Sequence, residues 1–240
     1  MDIKLKRILL QKESLWQGCI LASIAHAIMV AHYPDESNEH SWDGLNYSVQ
    51  DSAGARGTIS FSKDYYVAAF RDDNSERLNK KISVNEYKKY FTGASNEIVE
   101  LANEEALQYL LEEVNDNIEP LITTAFWGNE TETFSNDTFN EIYNNGGFLI
   151  ERQLLDIEDA FNSWKEYYEM TDQQYNLLKD IYKRKIETHN KILIMSDEEI
   201  GMIGTYDEEG LKESKISFNE IGIEWEIFYM QTRDKLREYK

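Results

Sequence analysis

The chain has 240 residues, long enough for one large domain or two small ones. Its 45 Asp and Glu against 25 Lys and Arg leave a formal charge of −20, which argues against a nonspecific polyanion binder. Apolar residues at 41%, with 12% aromatics, exclude wholesale disorder, and 2 prolines with 12 glycines exclude collagenous or proline-rich architectures.

In chain order, the opening MDIKLKRILLQKESLW has a continuous apolar run only at Ile8 to Leu10, too short for a signal-peptide core. Ser14 is placed to cap a helix through Trp16, Cys19, Ile20, Ile24, Ala27, Ile28 and Ala31. That helix is apolar on nearly every side and so belongs in the core, but its thirteen-residue apolar stretch falls short of the roughly twenty that span a bilayer. Alternating segments follow at 45–49, 58–61 and 65–70, an antiparallel meander with a long loop at QDSAGARG and a tight one at Ser62-Lys63-Asp64.

Ser83, with Glu86 three residues on, is a capping box for a short helix reaching Phe91. A longer helix is expected over 96–114, with Ile98, Leu101, Ala102, Leu107, Leu110 and Leu111 turned inward beneath Glu100, Glu104, Glu105, Glu112 and Glu113. Pro120 precedes LITTAFW, whose β-branched and aromatic residues suit a buried strand. A helix through Phe139, Ile142 and Tyr143 stops at Asn144-Asn145-Gly146-Gly147.

The last third reads as a hairpin of helices. Its first arm carries Leu155, Ala160, Phe161, Trp164, Tyr167 and Tyr168, and its second opens on the Thr171/Gln174 capping box. Strands are expected at 192–195 and 215–218, then a terminal helix with Trp225, Phe228, Tyr229 and Leu236. Together these elements predict an α+β fold: an antiparallel sheet, built mainly from the N-terminal half around a buried helix, followed by a helix-rich C-terminal half. A single compact domain over 1–240 is expected, with residues 152–240 as a helical subdomain.

Charge is unevenly distributed. Residues 1–89 hold twelve acids and twelve bases and residues 152–240 twenty against thirteen, whereas residues 90–151 hold thirteen acids and no Lys or Arg. Local ion pairing cannot quench such a stretch. A solvated acidic face explains it most simply; the functional alternative is a surface shaped for a basic partner.

Candidate chemistry is sparse. Trp16-Gln17-Gly18-Cys19 near a helix start resembles, over a few residues, the glutamine, cysteine and helix arrangement of papain-like hydrolases, which implies Cys19 as nucleophile and a distant histidine such as His189 as base. The family's glycine and tryptophan pattern around the cysteine is missing, and a cysteine more than a turn inside a helix gains little from the dipole. His26, His32 and His40 with Asp35, Glu36 and Asp43 suggest a metal, but a six-residue spacing points His26 and His32 to different sides of a helix. Adjacent acidic pairs diverge by about 100 degrees on a helix and do not converge on one ion. Trp42, Tyr47 and Phe61, with Asp43, Asp51 and Arg56, could line a cleft or simply pack on the buried helix.

The favoured expectation is a noncatalytic acidic protein that neutralises a basic macromolecular partner, as an immunity protein or a nucleic-acid mimic does. Glu100, Glu104, Glu105, Glu112, Glu113, Asp116, Trp42 and Asp43 would form its binding surface. The alternative is a small hydrolase, thiol- or metal-dependent. No cofactor, metal, direct nucleic-acid contact or membrane span is expected, and a single cysteine suits the cytoplasm.

Overall fold

A computed structural model describes residues 6–8, 10–79, 85–114, 116–188 and 191–226. Ser83, His189 and the terminal helix expected beyond Trp225 lie outside the described residues. Contacts divide the chain into two units, one of residues 1–19 and 38–155, the other of residues 20–37 and 156–240.

The first unit opens with β1 (Lys6–Ile8) and the start of α1 (Lys12–Met29). It continues with β2 (His40–Asp43), β3 (Asn46–Gln50), β4 (Ala55–Phe61), β5 (Tyr65–Asp72), α2 (Asn96–Glu104), β6 (Leu111–Val114), β7 (Asn117–Pro120), β8 (Thr124–Asn129), β9 (Thr133–Ser135) and α3 (Phe139–Tyr143). Seven strands form one antiparallel sheet in the order β1-β9-β8-β5-β4-β3-β2, and β6 and β7 make a separate hairpin. The α+β architecture is therefore as the sequence predicts, and LITTAFW supplies the strand beside β5.

Side-chain alternation gives the sheet two faces. On one, Val67, Ala69, Ala125 and Trp127 pack against Ile98 and Ala102 of α2 and against Leu107 and Leu110 of the 3-10 turn that follows. On the other, Trp42, Tyr47, Phe61, Tyr66, Phe126 and Phe70 form a row of rings 5.4 to 6.3 Å apart. Gly18 of α1 lies so close to the backbone of Gln153 that an added Cβ would meet its oxygen at 2.1 Å.

Four expectations need correction. The first helix starts at Lys12, so Ser14 lies inside its first turn and is not its cap. The helix expected over 96–114 ends at Glu104: Glu105 takes φ −125 and ψ −87, a 3-10 turn covers Ala106–Leu110, and Glu112 and Glu113 lie on β6. The meander begins one strand earlier, at β2, with Gly44 at φ 59 in the turn to β3. The strand expected at 215–218 lies within a helix of the second unit.

That unit takes α1 from Ile20 onward and adds α4 (Ile157–Tyr167), α5 (Asp172–Thr188), β10 (Leu193–Met195), α6 (Asp197–Met202), α7 (Glu208–Glu220) and β11 (Ile223–Trp225). Asp207 caps α7 by accepting from the Gly210 amide at 2.6 Å, and Leu211, Ser214 and Phe218 form its buried stripe. Trp225 belongs to β11, which pairs in parallel with β10. Among the described residues, no helix is long and apolar enough to cross a membrane.

Candidate acidic interface

The acids of 90–151 separate into two groups. Several meet cations from outside the segment. Glu112 Oε1 lies 3.0 Å from Arg56 Nη2 and 2.9 Å from Arg71 Nη1. Asp137 is buried and clasped in two bonds, at 2.7 and 3.0 Å, by Arg77. Glu141 pairs with Lys6 at 3.0 Å, Glu132 with Arg7 at 3.4 Å and Glu151 with Arg152 at 3.8 Å. The expected uniform field is therefore partly quenched, and Glu112 leaves the set available to a partner.

The second group has no Lys or Arg within ion-pair distance among the described residues: Glu97, Glu100, Glu104, Glu105, Glu113, Asp116, Glu119 and Glu130. Spacings of three and four residues place Glu97, Glu100 and Glu104 along one exposed face of α2, opposite buried Ile98 and Ala102. The local backbone and then Ser95 hold the Glu97 carboxyl below its usual range. Glu113 and Asp116 are exposed on the β6–β7 hairpin, Asp116 in the left-handed region at φ 64.

Glu105 behaves differently. Its Oε2 accepts from Asn46 Nδ2 at 2.7 Å, and Asn46 Oδ1 accepts from the buried Ser60 hydroxyl at 2.5 Å. Tyr109 donates to Asp43 Oδ2 at 2.7 Å. Partial burial, then the Asp43 carboxylate, pushes the Tyr109 hydroxyl above its ordinary pKa and keeps it a donor. The structure thus brings Asp43 and Glu105 into one polar cluster at the β2–β3 end of the sheet. Asn46, Ser60 and Tyr109, which join them, escape sequence reasoning because isolated polar residues in a meander carry no spacing signal. The Asp43-Gly44 pair, a hairpin signature, could have marked the site.

Trp42 points to the opposite face, its ring 5.4 Å from that of Tyr47 and 5.9 Å from that of Phe61. It packs in the aromatic row rather than beside Asp43.

Cys19 is fully buried, and desolvation pushes its thiol pKa well above the ordinary value, the reverse of what a nucleophile needs. Around it, Gln153 Nε2 donates to the Tyr47 oxygen at 2.7 Å, and Tyr47 lies 2.7 Å from His40 Nδ1. In the second unit His26 meets the Tyr168 hydroxyl at 3.3 Å and His32 the Ile203 carbonyl at 2.9 Å. The three histidines thus have separate partners, and no group of three His, Cys, Asp or Glu residues able to hold a metal occurs among the described residues.

Comparison with protein-family models, with curated proteins and with solved structures gives no match, so function is argued from these residues alone.

Proposed function

We propose that this chain is a noncatalytic binding protein that captures a basic macromolecule, in the manner of an immunity protein or a nucleic-acid mimic. The observation that carries the reading is the row Glu97, Glu100 and Glu104: three exposed carboxylates on one face of a helix, without an ion-pair partner among the described residues. Glu113 and Asp116 extend it along the chain, and Asp43, Glu105 and Tyr109 supply a hydrogen-bonded polar rim. Such an array steers a cationic partner and sets specificity more than it deepens affinity. The thiol-dependent alternative draws no support from a fully buried Cys19.

The test is co-purification of a basic partner from the native cells, followed by affinity measurement with Glu97, Glu100 and Glu104 all changed to lysine. Binding should weaken at least tenfold, with the loss shrinking as salt rises, while the melting temperature stays within a few degrees of the parent. Glu132→Gln, which alters a carboxylate already paired with Arg7, should change affinity little. A triple reversal that binds as tightly as the parent overturns the proposal.

A further inference from the structure

The first unit contains a feature unrelated to its acidic surface. Ile8, Leu10, Phe126, Ile142, Ile150 and Leu154 wall a recess of about 220 Å³. Phe126, Ile142 and Ile150 are 5% exposed or less and form its floor, whereas Phe139 and Tyr143 stand 54% and 41% exposed at its rim. The recess is built by the chain rather than left by loose packing. Beyond α3 and its cap Asn144, Gly146, at φ 112, turns the backbone into the 3-10 segment Gly147–Ile150 that closes one side.

Size and chemistry restrict the occupant. A cavity of about 150 Å³ with aliphatic and aromatic walls holds one benzene ring, so this recess has room for a fused bicycle, and it adjoins a hollow of about 520 Å³ that shares Ile8, Leu10, Phe139 and Leu154. Its polar groups sit together at the rim, where the Tyr143 hydroxyl donates to Glu151 Oε2 at 3.0 Å. With that proton committed, the pair offers only acceptor lone pairs to a ligand. Nearby cations are engaged: Lys6 with Glu141, Arg7 with Glu132 and Arg152 with Glu151. Among the described residues, a ligand that donates finds two acceptors at the rim.

We propose that this recess binds a small, neutral, bicyclic aromatic molecule carrying one N–H or O–H donor, an indole-like compound. The apolar walls take the rings, and the Tyr143–Glu151 pair accepts the donor.

The experiment titrates indole and 1-methylindole into the full chain with isoleucine and leucine methyls labelled for NMR. Saturable shifts at Ile8, Leu10, Ile142, Ile150 and Leu154 are expected, with indole preferred at least fivefold. The Tyr143→Phe/Glu151→Leu double variant changes only rim residues and should bring that preference to unity while retaining 1-methylindole binding. Leu154→Trp should abolish both; if it unfolds, the double variant still decides. Three results overturn the proposal: no saturable shift up to the solubility of indole, equal binding of the two probes by the parent chain, or a dimer in sedimentation whose interface buries these methyls.

Discussion

A methyl group on Gly18 would sit 2.1 Å from the Gln153 backbone oxygen, a separation no rotamer change can relieve. Gly18→Ala must push the 152–155 segment away from α1 and disturb the bond from Gln153 to Tyr47. The expected cost is about 1–3 kcal/mol, read as a lower urea midpoint at unchanged slope. Glu141 illustrates a different single-residue effect. Its bonds from the Thr138 hydroxyl and backbone, with Lys6 beyond them, lower its carboxyl pKa to about 2. A depressed folded-state value means that this contribution is complete above the ordinary 4.5 and is lost as pH falls toward 2. Glu141→Gln should therefore flatten the dependence of the urea midpoint on pH within that window and leave it parallel to the parent above pH 6. Solvent exposure keeps the effect small.

Among the elements, β4 and β5 were legible from alternating residues, Tyr66, Ala68 and Phe70 facing one side and Val67 and Ala69 the other, and β8 from a β-branched and aromatic run that suits a strand buried on both faces. The helix α3 was legible from its stop, since Gly146 takes the positive φ that the Asn-Asn-Gly-Gly run announces. The long acidic helix was misread because Leu107, Leu110 and Leu111 keep helical spacing. What ends it is tertiary: Leu107 and Leu110 pack on the sheet in a tighter turn, and Leu111–Val114 pairs with Asn117–Pro120. Moving Glu112 from helix to strand has a measurable consequence. Arg56 and Arg71 lie directly opposite each other across β4 and β5, and Glu112 bridges both. Glu112→Gln leaves two guanidinium groups facing each other, so it should destabilise by about 1 kcal/mol, more at low salt than at high. The same change at exposed Glu113 should have almost no effect.

For the whole molecule, a formal charge of −20 is a field before it is a set of contacts. The sequence shows where that field is concentrated, but not which carboxylates survive in it. Arg56, Arg71 and Arg77 approach from the first third of the chain, and only folding reveals which acids they meet. If capture of a basic partner depends on the remaining row, association should slow with rising ionic strength while dissociation changes less, because the screening length is about 8 Å at physiological salt. The division of α1 bears on how this protein can be dissected. The helix passes from one unit to the other between Cys19 and Ile20, and the later portion is tied locally: Ser214 donates to the Ala27 carbonyl at 2.6 Å, and Gly210 leaves no space for a Cβ beside Ala31. A fragment beginning at Asp156 is thus an incomplete cut, missing its own scaffold. Expressed alone, it should show little cooperative melting by circular dichroism, and a synthetic peptide of residues 20–37 added in trans should restore it.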